Sequence, residues 1–287
     1  MKDSVFQPGH PWLDTEGQAI QAHGGGIMVH EGRYWWYGEN KAAPSYKNER
    51  VTGWDCRRHD LVGVSAYSSD DLLNWRNEGI VLGPVSDDPD HDLHPSKVME
   101  RPKVNFNPRT GQFVMHFHVD RHDYSLAAVG VATSDRPAGP FRFRGTLRPN
   151  GADSRDLTVF VDDDGSAWLV HSSEWNRTLY ISRLSEDWLF TTGEYYRVFA
   201  GQSREAPALF RHRGLYHLIT SGCTGWDPNP AEHAFAEHLA GPWTLTGNPC
   251  RGPGAETTFG AQSTFVLPLP GQPDACLFMA DIWNKDD

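Results

Sequence analysis

The chain has 287 residues, room for one large domain or two small ones, and its 26 Lys and Arg stand against 37 Asp and Glu, a formal charge of −11. That balance excludes the basic footprint of a nucleic-acid binder and disfavours anionic partners. No stretch approaches the ~20 apolar residues of a membrane span, and the opening MKDSVFQPGHPW lacks the apolar core of a signal peptide. The sequence therefore reads as cytoplasmic, or as part of a secreted protein after removal of its leader, with neither nucleic acid nor membrane as a partner.

In chain order, the first element is HGGGIMVHEGRYWWYGE (23–39): an apolar strand, a Gly-containing turn, then an aromatic strand. This is hairpin chemistry. The same form returns in RPKVNFNPRTGQFVMHFH (101–118), DLTVFVDDDGSAWLVHSS (156–173), EAPALFRHRGLYHLITS (205–221) and QSTFVLPLPGQPDACLFMAD (262–281). A second set alternates with it: SSDDLLNWRNEGIVLGP (68–84), SDRPAGPFRFRGTLRP (134–149), SRLSEDWLFTTGEYYRVF (182–199) and EHLAGPWTLTGNP (237–249). Two hairpins in ~50–60 residues make one propeller blade.

Helical periodicity is missing, and 28 Gly and 20 Pro suit a turn-rich β fold. The expectation is an all-β, five-bladed β-propeller forming a single domain over 1–287. A β-sandwich leaves the fivefold repeat unexplained. The N-terminal KDSVFQPGH is a candidate for the strand that closes the ring.

Carboxylates recur where these units begin. Glu205 in SREAPALF, Glu100 in MERPKVNF and Asp156 in SRDLTVFV each stand just before an apolar run. Inner strands of a propeller run parallel, so Gln21-Ala22-His23, Glu100, Asp156, Glu205 and Gln262 should gather at one mouth. Like charges in one pocket raise each other's pKa, which is how a site keeps one carboxyl as a general acid.

Other signals are weaker. His23, followed by Gly24, Gly25 and Gly26, reads as a hydrogen-bonded structural histidine or as a holder of a water or ion at the axis, where three glycines allow close backbone approach. FVDDDGSAW reads as a hairpin turn, since it lacks the later Glu of a calcium loop. Cys56, Cys223, Cys250 and Cys276 have no metal-like spacing. No cofactor and no metal is expected in the chemistry. The 11 Trp, 9 Tyr and 14 Phe are mostly core, with a few as platforms for a sugar ring.

DTEGQAIQAHGGGI (14–27), YWWYGENK (34–41), YSSDDLLNW (67–75), ERPKVNFN (100–107), GPFRF (139–143), SRDLTVFVDDDGSAWL (154–169), REAPALF (204–210), SGCTGWDPN (221–229) and QSTFV (262–266) follow in order along nearly the whole chain. Together they resemble glycoside hydrolase family 43, a family of five-bladed propellers, and specifically its exo-β-1,3-galactanase branch.

The resemblance implies an inverting glycosidase with Glu205 as general acid and Asp156 tuning its pKa. Blade one reads IQAHGGG, with no Asp where most of the family has its base. Gln262 as water holder, or as base through an imidic acid tautomer, and Glu100 as a true carboxylate base or a sugar ligand both remain open. Glu39 and Tyr124 match sugar-binding positions, with an ordinary surface charge and a core tyrosine as their alternatives. Thr224, Trp226, Glu174, Asn176 and His23 belong at the same mouth, each with an ordinary structural alternative. The implied substrate is β-1,3-galactan, the backbone of arabinogalactan, cut from its non-reducing end in a pocket capped by the loops after Asp55 and around Trp226. The alternatives are an α-L-arabinofuranosidase or β-xylosidase of the same family, and a non-catalytic sugar-binding propeller.

Overall fold

The computed structural model describes residues 5–284. Local turn chemistry sets the hairpins. Glu31-Gly32 and Arg213-Gly214 both carry positive φ at two successive residues (50° and 76°; 49° and 79°), the backbone that matches the twist of a two-residue hairpin.

The first sheet is built from β1 (His23–His30), β2 (Arg33–Glu39), β5 (Val64–Ser69) and β6 (Arg76–Leu82), in that order. Between β2 and β5 the chain makes a separate two-stranded ribbon of β3 (Tyr46–Lys47) and β4 (Arg57–Arg58). β7 (Val98–Asn107), β8 (Gln112–Asp120), β9 (Ala128–Ser134) and β10 (Arg142–Leu147) form the second sheet. The third holds β11 (Leu157–Val161), β12 (Ala167–Ser173), β13 (Thr178–Leu184) and β14 (Thr191–Val198). The fourth holds β15 (Arg204–His212), β16 (Leu215–Gly222), β17 (Glu232–Ala236) and β18 (Thr244–Gly247). Last comes the hairpin β19 (Gln262–Pro268) and β20 (Cys276–Asp281). All these pairs are antiparallel, and among the described residues the helical content is two short 3₁₀ turns, Pro149–Gly151 and Ala255–Gly260. None is long and apolar enough to cross a membrane.

This is an all-β propeller. Apolar clusters fill the spaces between successive sheets: Tyr37 and Met99 between the first two, Val131 and Leu157 between the next two, Val170 and Leu209 between the third and fourth. Ala208 packs with Val266 between the fourth sheet and the last hairpin, and Ile27 and Trp36 with Leu267 and Met279 between that hairpin and the first sheet. The layers therefore meet around a closed ring.

The all-β propeller is as expected, but the expected count of five blades is corrected to four complete ones. Four units have four strands, and among the described residues the fifth is the two-stranded β19–β20 sheet. Among its described residues the N-terminal segment adds no strand to that sheet. In 5–22 the one bridge is Leu13 with Ala19; Met1 to Ser4 lie outside the described residues. That segment instead packs Trp12 on Trp36 and Trp75, ring centroids 5.0 and 6.3 Å apart, beside the fifth hairpin. Aromatic burial against one sheet replaces ladder pairing there.

Candidate active site

One backbone device builds the mouth. In β1, β7 and β15 the pairing register slips just after the first residues, at His23/Gly26, Glu100/Lys103 and Glu205/Ala208. The residue at each slip is left-handed: Gly24 (φ 59°), Arg101 (φ 56°) and Ala206 (φ 54°). A bulge of this kind re-aims the side chain beside it, here His23, Glu100 and Glu205.

Each bulge is latched by an acid from the neighbouring blade. Gly24 N donates to Asp281 Oδ2 (3.0 Å), Arg101 N to Glu39 Oε1 (3.0 Å) and Ala206 N to Asp156 Oδ2 (2.9 Å). A carboxylate accepting a backbone N–H is a strong, charge-assisted bond, so Glu39, Asp156 and Asp281 are built into the fold of the mouth.

Glu205 occupies the centre. Its Oε1 accepts Gln262 Nε2 at 2.9 Å and its Oε2 accepts Asn176 Nδ2 at 3.3 Å. Burial, and next the charge of Asp156, hold its carboxyl well above the usual carboxylate range, against the opposing pull of Arg101. This group can carry a proton near neutral pH.

Gln262 is held from both ends. Nε2 also donates to Ser221 Oγ (2.9 Å), while Oε1 accepts Trp283 Nε1 (2.9 Å) and Arg101 Nη2. The Arg101 guanidinium further donates to Ser263 O (2.8 Å) and pairs with Asp156 (3.2 Å). Arg101 thus ties the second, third and fifth units together.

Glu100 lies in a second polar group. His118 Nδ1 meets its Oε2 at 2.9 Å, Tyr124 OH donates to its Oε1 at 2.9 Å, and His118 Nε2 meets Asp120 at 3.0 Å. Burial opposes ionisation of Glu100, but the His118 bond and charge, with Lys41 behind, pull its carboxyl well below the usual range. His118 is also penalised by burial, yet the two flanking acids raise it to about 10. Glu100 is therefore a fixed acceptor with little appetite for a proton. Lys41 Nζ lies 2.7 Å from the buried Glu39 carboxylate.

Over these groups lies an open cleft of about 770 Å³ lined by Glu39, Lys41, Glu100, Tyr124, Trp226 and Trp283. Trp226 and Trp283 also border an adjoining hollow that reaches Gln262. The indole N–H of Trp226 donates to Asp55 O at 2.7 Å, and Trp54 stands between Trp226 and Tyr124 (6.4 and 5.8 Å). The β3–β4 insert and the Trp226 loop are thus joined over one side of the mouth.

The profile of "Glycosyl hydrolases family 43" matches residues 27–251. The chain belongs to this family. Among solved structures, a family 43 β-1,3-galactosidase with galactodeoxynojirimycin is 41% identical, with a TM-score of 0.89 over 97% of this chain and 90% of that one. An exo-β-1,3-galactanase from Phanerochaete chrysosporium with β-1,3-galactotriose is 36% identical, TM-score 0.85, over 97% of this chain and 60% of that one. Of curated proteins, a β-D-galactofuranosidase from Aspergillus niger is 25% identical over 63% of this chain and 55% of its own length. The chain thus spans about half of that curated relative.

Not every residue expected at this family 43 mouth faces the acid. Glu174 gives its oxygens to Thr178 (2.6 Å), Tyr180 (3.0 Å) and Arg197 (2.5 Å), on the outer strands of its own sheet. Local hydrogen bonds outcompete the mouth for that carboxylate. Thr224 is exposed and spans its own loop, donating to Asp227 O (2.5 Å) and accepting from Asn229 (2.7 Å).

His23 meets Gln21 (3.2 Å) and Asp281 (3.6 Å). Its glycines make room for neighbours other than an ion. A Cβ on Gly25 would sit 1.8 Å from Tyr37 O, and one on Gly26 would sit 3.0 Å from Lys103 Cδ. Among the described residues no three His, Cys, Asp or Glu side chains form a metal-ligand group. The four cysteines are free thiols.

Sequence reasoning passed over Arg101, Lys41, His118, Asp281 and Trp283. Arg101 was visible beside Glu100 in ERP. The others carry no local signal, because their partners come from other blades.

Proposed function

We propose that this chain is an exo-acting, inverting glycoside hydrolase that releases galactose from the non-reducing end of β-1,3-galactan, on a five-bladed propeller whose last blade is built on β19–β20. The relatives support the substrate: solved structures similar over nearly the whole chain are described as β-1,3-galactosidase and exo-β-1,3-galactanase. The observation that carries the chemistry is Glu205, a carboxyl kept protonated by burial and by Asp156, in contact with Gln262.

Glu205 protonates the glycosidic oxygen as the bond to the anomeric carbon breaks. Water enters from the opposite face, held by Gln262. Inversion requires ~6.5–9.5 Å between acid and water holder. The two side chains are in contact at 2.9 Å, which leaves no room for that water, so this mechanism requires them to separate when the sugar binds. Asp156 raises the affinity of Glu205 for its proton and fixes the peptide next to it. Glu100 and Glu39 offer fixed anionic acceptors to the galactose hydroxyls, with Tyr124 beside them. As a base Glu100 is poor, since His118 and Tyr124 take both its oxygens. The joined insert and Trp226 loop close one side of the pocket, which suits attack at a chain end.

Proton NMR of β-1,3-galactobiose during digestion tests this directly. α-Galactose appearing first supports substrate and inversion together. β-Galactose first rejects the mechanism. Arabinose, xylose or galactofuranose released from control substrates, with none from galactobiose, moves the enzyme to another glycone.

A further inference from the structure

Trp175 is the most exposed large apolar side chain among the described residues, at 74% of its surface. Tryptophan is seldom left in water. The site that presents it is elaborately fixed. Glu174, Trp175 and Asn176 are three successive non-glycine residues in the left-handed region (φ 54°, 58° and 62°), a conformation that persists only where the surroundings impose it and that clusters at ligand sites.

Here the surroundings are Asp153. Its carboxylate accepts Glu174 N (2.7 Å), Trp175 N (3.0 Å) and Ser173 Oγ (2.9 Å), and it pairs with Arg155. The Arg155 guanidinium then lies 4.4 Å from the Trp175 ring. One face of the indole is thus backed by a cation and the other is bare. A rigid aromatic plane with one free face is the surface on which a sugar ring stacks, and its ordering has been met in the fold.

Two neighbours place this plane at the mouth. Arg155 precedes Asp156 in the chain. Asn176 touches Glu205 Oε2, whereas Gln262 touches Oε1. Gln262 and the cleft beside Glu39 and Glu100 therefore lie to one side of the acid, and Asn176 with Trp175 to the other. Glu205 protonates the oxygen joining the departing galactose to the remaining chain, so that chain passes on the Asn176 side.

We infer that Trp175 is a binding platform for the leaving-group side of a β-linked galactan, gripping sugars beyond the one attached to the cleaved bond and making the enzyme favour longer chains. This rests on the galactan-hydrolase reading above.

The test compares kcat/KM on β-1,3-galactobiose, -triose and -tetraose for the wild type, Trp175→Ala and Trp175→Phe. In the wild type kcat/KM should rise with length. Trp175→Ala should leave galactobiose nearly unchanged and lower the tetraose value ~3- to 10-fold, the size of an aromatic stacking contribution, with Trp175→Phe in between. Parallel length profiles for wild type and Trp175→Ala overturn the inference while the galactanase reading stands. If the wild type releases no galactose at any length, that reading fails. Mobility in native gels containing β-1,3-galactan then decides on the platform: retardation lost in Trp175→Ala supports it, and equal mobility overturns it.

Discussion

Gln262 donates its amide to Glu205 at 2.9 Å, and the other end of the same amide accepts from both Trp283 and Arg101. Four neighbours fix one orientation. Turned over, the NH₂ group would face two N–H donors and the oxygen would face the carboxyl. Both N–H bonds point at oxygens, of Glu205 and Ser221, so the nitrogen is a donor in this arrangement. An imidic acid would need a proton on Oε1, where two donors already point. The arrangement favours the ordinary amide, and because both lone pairs of Oε1 are engaged, the proposed water can be held by Gln262 only where one of these partners gives way.

Gln262→Ala should therefore lower kcat by ~10²–10³, the usual effect of removing one preorganised polar contact at a reacting centre. Glu100→Gln should act mainly on KM, because its carboxylate is tied to His118 and Tyr124 and protonates only well below the usual range. Steady-state kinetics on galactobiose separate the two. A kcat loss larger for Glu100→Gln than for Gln262→Ala would reassign the base to Glu100.

Trp283→Phe keeps an aromatic ring near Lys41 and Arg101, 5.4 and 5.8 Å from the indole, and removes the N–H together with the five-membered half of the indole. If that N–H orients Gln262, kcat should fall ~3- to 10-fold, the worth of one hydrogen bond, with KM nearly unchanged. A change confined to KM would make Trp283 a sugar contact instead.

The hairpins were legible because their information is local: Glu-Gly and Arg-Gly turns between alternating strands. Glu205 and Asp156 were legible because the strand start repeats. What the carboxylates do was only half legible. Asp156 raises the Glu205 pKa, but it also clamps Ala206 N, and Glu39 and Asp281 do the same for Arg101 and Gly24. That rule links residues on neighbouring blades, and no spacing along the chain encodes it. Trp12 was hidden for a like reason: its partners Trp36 and Trp75 lie in the first sheet. The glycines of HGGG were read as room at the axis, yet Gly25 is needed for contact with Tyr37 O inside its own sheet.

The pH dependence should have its working limb on the alkaline side. Glu205 acts as an acid only while protonated, so kcat/KM should fall as pH rises through its raised pKa. Neither candidate on the water side titrates near neutrality, so no acid limb is expected above ~pH 4, near the ordinary carboxylate value. Asp156→Asn removes the negative charge that raises Glu205 and frees Arg101 to lower it. Both changes shift the alkaline limb to lower pH. A limb that stays in place would mean that burial alone sets the Glu205 pKa.

Glu205→Gln should cost ~10²–10⁴ in rate, as loss of a general acid does, and should stabilise the fold. A carboxyl whose folded pKa is raised contributes stability that is complete below its unfolded value and lost as pH rises through the folded value. Below ~pH 4 the wild-type group is neutral folded and unfolded, and the two proteins should melt alike. Above that the unfolded chain releases the proton while the folded site resists, so the wild type weakens and the glutamine variant does not. Its advantage should open between pH 5 and 7, keep growing up to the raised pKa, and then level off. Thermal melts of both proteins from pH 4 to 9 measure it. A constant difference across that range would show that the acid is not held protonated by its site, and the proton donor would have to be sought elsewhere at the mouth.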